Sequence, residues 1–291
     1  MANSLRAVQS RINSTKSTAQ ITKAMYMVSQ SKVKRAEKTY KSYQDFMARI
    51  SSMVSDIVEK AGEEYPHKLL LPREVKKTAY IIISSDTGLA GGYNASVFKA
   101  LDERIKSEHK SSDEFVTGAI GKKGFAHLRR NGYPMLNDGH VLVRDDVMFI
   151  DIEPLAQKFI DAYLAGSIDK LVIVYSHFIN SITQEVRFEE LLPIKKIEAE
   201  KTSTDFIYET GIERTLDLIL PMYVKDMMFG IILDAKTAEH SSRMNAMKSA
   251  TDNANDIIDK LQLLYNRARQ SVVTNELIDI IGGANAIGGD K

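Results

Sequence analysis

Residues Leu5–Ala61 read LRAVQSRINSTKSTAQITKAMYMVSQSKVKRAEKTYKSYQDFMARISSMVSDIVEKA, with no Gly and no Pro. These two residues punctuate regular structure most strongly, so their absence lets the whole stretch be one helix. Counting in sevens from Leu5, one position holds Leu5, Ile12, Ala19, Tyr26, Val33, Tyr40, Met47, Val54 and Ala61, all apolar. Its companion holds Val8, Thr15, Thr22, Ser29, Ala36, Tyr43, Ile50 and Ile57, whose only polar members are small. A seam with a period of 3.5 residues, kept over many heptads, is the mark of a coiled coil. Sixty residues of such helix reach about 90 Å, more than a globular core needs.

The far end mirrors this pattern. Ile231–Ile281 again lacks Gly and Pro. One reading of its seam is Met247, Ala250, Ala254, Ile257, Leu261, Leu264, Ala268, Ser271, Asn275 and Ile278, with Met228, Ile231, Ala235, Ala238 and Ser242 upstream. Pro221 is expected to break or kink the preceding helix, and Gly282-Gly283 to end this one. Each arm has a seam to bury. Large Tyr side chains on the first suit the small Ala side chains on the second, so the arms are expected to pair antiparallel.

Between the arms the texture changes. Thr78–Ser84 (TAYIIIS), Phe115–Ile120, Lys170–Ile179 and Thr183–Leu192 read as strands. Helices are expected near 95–108, with Asn94 as cap, and over Gly121–Asn131 and Asp151–Ala165. Strands alternating with helices imply a largely parallel sheet. The fold expected is α/β with a long antiparallel coiled coil: N- and C-terminal helices paired, and a central Rossmann-like α/β domain. The boundaries expected are 1–61, 62–210 and 211–291.

Composition removes several classes of chemistry. The 291 residues include no Cys, which excludes a disulfide scaffold, a Cys-ligated zinc site, an iron–sulfur cluster and a thiol nucleophile. The six His residues show no pairing at i+3 or i+4, so each is read as structural or surface. Asp145-Asp146 and Glu189-Glu190 lack a framing motif and read as solvated acids. No catalytic residue, metal ligand or cofactor is expected. No apolar run approaches 18 residues, and Met1–Ser10 lacks the apolar core of a signal peptide, so a membrane is reached only through partners.

Net charge is +1, but it is unevenly spread. Residues 1–61 carry 11 basic and 4 acidic side chains, residues 62–230 carry 21 and 26, and residues 231–291 carry 7 and 8. The basic run includes Lys23, Lys32 and Arg35, with Glu37 the only acid through residue 44. A solvated helix face normally interleaves both signs. This one suits an acidic partner: nucleic acid, anionic lipid or an acidic protein segment. Tyr26, Tyr40 and Tyr43 fall on the seam instead of standing free to stack on bases, which weighs against nucleic acid. Ser84–Asn94 reads SSDTGLAGGYN, a Gly-rich loop between a strand and a helix. Its spacing matches neither G-x-G-x-x-G nor the P-loop, so a tight turn competes with a phosphate site. The tail Ile280–Ile287 (IIGGANAI) is small or apolar, as a tip lodged in a partner's socket would be.

Several of these stretches resemble the gamma-subunit family of the F-type ATP synthases. RINSTKSTAQITKAMYMVSQSKVKRA (Arg11–Ala36) is similar to that family's N-terminal helix, and SSDTGLAGGYN to its central loop, with Thr87 where many members have Arg and Ala90 where many have Cys. SRMNAMKSATDNA (Ser242–Ala254) and YNRARQSVVTNELIDIIGGANAI (Tyr265–Ile287) match its two C-terminal motifs, with Val273 for the usual Ile.

The resemblance implies a non-catalytic rotor shaft. Its partners would be the alpha and beta subunits of the catalytic ring, the epsilon subunit and the membrane ring of c subunits. It would sit at the cytoplasmic face of the cell membrane, coupling proton translocation to ATP synthesis or hydrolysis. Met25 would lie near an acidic segment of beta. Arg243, Gln270, Thr274 and Glu276 would contact beta near the top of the shaft. Tyr208 would belong to the foot on the membrane ring. Two other readings stay open at this stage: a coiled-coil scaffold or nucleic-acid-binding protein using the basic arm, and a nucleotide-binding α/β enzyme using the Gly-rich loop.

Overall fold

The computed structural model describes residues 2–62, 65–137, 139, 141–195 and 211–288; of residues 2–4 and 285–288 only the backbone is described. The elements are α1 (Ala2–Ala61), β1 (Thr78–Ile83), α2 (Tyr93–Glu108), β2 (Phe115–Ile120), α3 (Lys122–Arg130), α4 (Phe149–Leu164), β3 (Lys170–Phe178), β4 (Gln184–Leu192) and α5 (Ile212–Gly288). The chain divides into two compact units: Met1–Val28 with Met244–Lys291, and Ser29–Arg243.

The larger unit is built on a four-stranded sheet of order β2-β1-β3-β4. β1 pairs in parallel with both β2 and β3, and β4 adds antiparallel to β3. Side chains alternate between the faces of a strand. Ile81, Ile83, Ile173 and Tyr175 point to one face, where they meet α4, the end of α1 and the first half of α5. Tyr80, Ile82, Val172 and Val174 point to the other, where Val97, Leu101 and Ile105 of α2 and Leu128 of α3 cover them. Every residue of β1 is buried, as a central parallel strand with both faces covered must be.

α1 presents its expected seam. None of the heptad positions from Leu5 to Ala61 is exposed, and Val54, Ile57 and Ala61 join the sheet's core. The helix stops at Gly62, whose φ of 55° reverses the chain while its N–H reaches Val58 O at 3.2 Å. In the larger unit the two long helices run antiparallel. Tyr43 hydroxyl donates to Asp226 O at 3.0 Å, and Ser51, two turns on, meets Tyr223 at 3.3 Å. Gly230 lets this approach happen, since a Cβ there would stand 3.1 Å from the Tyr43 ring. In the smaller unit Thr251 donates to Thr22 at 2.8 Å.

Four expectations need correction. Pro221 lies inside α5 without ending it. Its neighbours Leu220, Tyr223 and Val224 are buried in the core, and tertiary packing holds the turn that Pro weakens. Gly282 and Gly283 do not end α5 either; Gly costs a helix only about 1 kcal/mol, far less than Pro. Asn94 lies within α2 instead of capping it, and Gly92 stands at the cap. Finally, the second arm's seam keeps Met247, Ala254, Leu261, Ala268 and Asn275 but runs through Thr251, Ile258, Tyr265 and Val272, one residue beyond the companions expected. Ile257, Leu264 and Ile278 are exposed.

Candidate functional site

The residues singled out by sequence fall into three groups. Lys23 and Arg35 are exposed on α1, Met25 is half-buried beside the seam, and Gln270, Thr274 and Glu276 are exposed on α5. Tyr208 lies outside the described residues. Lys32 and Arg243 are brought together in one ionic network, which sequence reasoning did not anticipate.

The network starts at the surface. Lys32 Nζ pairs with Asp145 Oδ2 at 2.6 Å. The other oxygen of Asp145 faces His240 Nε2 at 3.1 Å and Lys236 Nζ at 3.5 Å. Lys236 also donates to Val143 O at 2.7 Å and to Glu239 Oε2 at 3.2 Å, so its three protons face three acceptors. Glu239 turns its second oxygen to Arg243 Nη2 at 2.8 Å. That nitrogen also reaches Thr87 Oγ1 at 3.1 Å and Gly88 O at 3.4 Å. Lys236, Glu239 and Arg243 are only 8%, 3% and 9% exposed. Unpaired charges at that depth are prohibitive, so the pairing is obligatory. Helical spacing supplies it: positions 236, 239 and 243 lie on one face of α5.

The Gly-rich loop is the network's far end. Ser85 N–H bonds Asn94 Oδ1 at 3.0 Å. Asp86 accepts the N–H of Lys122, at the first turn of α3, and the N–H of Val143, at 2.9 and 2.8 Å. Ala90 O accepts from Ser242 at 2.7 Å, and Tyr93 hydroxyl reaches Ala235 O at 3.1 Å. Leu89 holds φ at 61° with its side chain 63% exposed, a conformation that costs an aliphatic residue about 1 kcal/mol or more. The loop docks the α/β layer on α5.

A second pair of contacts ties α1 to α5. Tyr40 lies beside Asp234, which accepts from His177 Nδ1 at 2.6 Å and from Phe178 N–H at 2.9 Å. Burial pushes the Tyr40 hydroxyl up to about 12, and the adjacent Asp234 adds to the shift. Burial likewise raises the carboxyls of Asp226 and Asp234 above the usual range. His240 is driven the other way, to about 4, mainly by burial, with Lys236 and Arg243 pushing it down against the attraction of Glu239 and Asp145. Its imidazole is therefore neutral at pH 7, with Nε2 3.1 Å from Asp145. Tyr40 and Tyr43 thus serve the helix pair itself.

Sequence reading missed Asp145, Lys236, Glu239, His240, Asp226 and Asp234. One signal was present: acid and base at i, i+3 and i+7 within a stretch of small and apolar residues. Asp145, read as a solvated acid, is instead the hub of the network. Among the described residues no cluster of three or more His, Asp or Glu could hold a metal ion, and no helix is long and apolar enough to cross a membrane.

The likeness to known proteins covers the same architecture. A family profile described as ATP synthase matches residues 4–287. The ATP synthase gamma chain of Exiguobacterium sibiricum is 44% identical over 284 residues, 97% of this chain and 99% of that one. A chain from the cryo-EM structure of the Tetrahymena thermophila mitochondrial ATP synthase central stalk and c-ring superposes at a TM-score of 0.62. It is 25% identical, across 79% of this chain and 99% of that chain. A chain of the Euglena gracilis mitochondrial ATP synthase shares the fold at a TM-score of 0.68 and 16% identity, across 100% and 97% of the two chains. From Ser4 to Ile287, then, this chain belongs to the gamma-chain family of the ATP synthases.

Proposed function

We infer that this chain is the central rotor shaft of an F-type ATP synthase, a non-catalytic subunit that couples proton translocation to ATP synthesis or hydrolysis. One observation carries the reading: helices of 60 and 77 residues, paired antiparallel, in a chain 44% identical to a gamma chain over nearly its full length. Residues 1–61 and 211–291 supply the shaft, and 62–210 the domain attached to it. The partners are the alpha and beta subunits that surround the shaft, the epsilon subunit and the ring of c subunits. Membrane attachment, at the cytoplasmic face, runs through them.

A shaft acts by being different on its different sides, since a partner's state is biased only by unequal contacts. The basic arm and the nearly neutral arm provide that inequality. Lys23, Lys32 and Arg35 face the acidic segment of whichever beta subunit is adjacent, with Met25 beside them. Exposed ion pairs are worth about 0–1 kcal/mol each, weak enough to be exchanged at every step of rotation. Gln270, Thr274 and Glu276, exposed on α5, contact beta near the top of the shaft, Arg243 is held inward close to Lys32, and Tyr208 belongs to the foot.

Affinity purification of the chain from its native membranes at low salt tests this reading. The expected result is alpha and beta subunits in excess over the bait, with ATPase activity that the isolated chain lacks. Recovery of the bait alone, or with nucleic acid, would overturn it.

A further inference from the structure

We propose that Glu239 is a positioning residue that fixes Arg243 against the Gly-rich loop, and that the fixing is governed, through Lys236 and Asp145, by whether Lys32 holds its place on Asp145. Protons and acceptors do not match at the guanidinium. Arg243 Nη2 carries two, yet it faces three acceptors: Glu239 Oε1 at 2.8 Å, Thr87 Oγ1 at 3.1 Å and Gly88 O at 3.4 Å. Of the three only Glu239 is charged, so its carboxylate sets where the nitrogen stands, and Thr87 and Gly88 accept from it there. Glu239 is itself held in place because Lys236 engages its other oxygen at 3.2 Å. Lys236 stays there because Asp145, 3.5 Å away, is already held by Lys32 at 2.6 Å.

Withdraw Lys32 and the anchoring fails. Asp145 then draws Lys236 away from Glu239, the carboxylate loses its second anchor, and the guanidinium it positions leaves Thr87 and Gly88. Lys32 is the half-exposed end of this chain of charges, while Lys236, Glu239 and Arg243 are buried. An acidic partner that attracts Lys32 would thereby loosen a loop on another element without touching it.

The absence of Cys makes the test direct, because an introduced thiol is the only one in the chain. Ala90→Cys places a reporter in the loop, where the parent residue is 3% exposed, and Ala156→Cys places a control in the core of α4. Each is reacted, in the full-length chain, with a water-soluble thiol reagent. Glu239→Gln leaves Lys236 and Arg243 facing a neutral amide. It is expected to raise the rate at position 90 about tenfold, the weight of one lost charge-assisted bond, with position 156 within about twofold of the parent. Lys32→Met is expected to raise it about threefold, and Lys32→Arg to restore the parent rate. In an Asp145→Asn background Lys32→Met should add nothing, since the competitor for Lys236 is gone.

An unchanged rate at position 90 in Glu239→Gln, or an equal rise at both reporters, would overturn the positioning role. A Lys32→Met effect that persists without Asp145 would overturn the control by Lys32. The reporter rates depend on this geometry alone, and only their consequence for coupling rests on the rotor reading. Rates that behave as expected in a chain that fails to co-purify with alpha and beta subunits would overturn the rotor and leave the clamp standing.

Discussion

The same helix is treated in two opposite ways along its length. Within the larger unit, every residue of α5 from Ile232 to Ser241 is buried, the charged ones included. Within the smaller unit, α5 buries one narrow seam from Met247 to Asn275 and leaves Leu263, Leu264, Leu277, Ile278, Ile280 and Ile281 exposed. The first stretch carries Asp234, Lys236, Glu239 and His240 where a core is expected, and the second carries large apolar side chains where a surface is expected. Polarity alone therefore marks neither the inside nor the outside of this helix. What decides is whether the chain itself supplies the partner. The buried charges have theirs within the fold, whereas contiguous exposed apolar residues mark surface meant for another protein.

The sharpest way to break this contrast is at Lys236. Lys236→Ala leaves Glu239 and Val143 O short of a donor in the interior and is expected to cost about 3–5 kcal/mol in urea unfolding of the full chain. Lys260→Ala, at an exposed position of the second stretch, should stay within about 0.5 kcal/mol. If the two cost the same, the first stretch is no ionic joint.

Acidification probes the same joint. His240 has its folded pKa lowered to about 4 from the ordinary 6.5, so the fold favours the neutral ring. That stability is fully present above pH 6.5 and is lost as pH falls through 4, at up to about 1.4 kcal/mol per pH unit. The groups facing the ring are Glu239, Lys236 and Arg243 of α5 and Asp145 from the loop before α4. His240→Gln removes the titrating ring and should flatten that part of the stability curve, which thermal melts at pH 7, 6 and 5 would reveal.

Close packing supplies a smaller effect. Gly230→Val puts branched bulk against the Tyr43 ring and is expected to destabilise by about 2 kcal/mol, read from the unfolding midpoint. Asp226→Asn should act in the other direction. Burial raises this carboxyl, and one of its oxygens has no hydrogen-bond partner among the described residues. Its folded pKa lies above the unfolded value, so the charged form weakens the fold, and that weakening grows as pH rises through the folded pKa. The amide should therefore gain about 1 kcal/mol at pH 7 and nothing below about pH 4. Smallest of all, Lys23→Ala should leave coupled ATP synthesis near the parent rate, because one exposed pair contributes about 0–1 kcal/mol. A large loss would mean that the basic arm relies on one contact.

The first arm was legible because its heptads offered one apolar stripe and nothing to compete with it. The second arm offered two. Ile257, Leu264 and Ile278 are as apolar as Ile258, Tyr265 and Val272, and periodicity does not choose between stripes one residue apart; the facing helix does. The strands were legible because β1 and β3 are short apolar runs bounded by turn residues. The ionic joint was not, because its members lie on four segments far apart in sequence: Lys32, Thr87, Asp145 and the 236–243 face. Asp145 shares its local texture with any solvated loop acid, and only the fold brings Lys32, Lys236 and His240 to it. Arg243 stood out through its motif, but nothing in the motif announced its partners Glu239 and Thr87.

Val143 has both backbone polar atoms committed: its N–H to Asp86 and its carbonyl to Lys236. Two residues later Asp145 must reach three further groups. What such a segment transmits from ancestor to descendant is a count more than a spelling. Arg144 and Asp146 are exposed and open to exchange, but one residue inserted or deleted between 141 and 147 would put every partner out of reach at once. Among gamma chains this loop, plain in composition, is therefore expected to drift in identity while keeping its length.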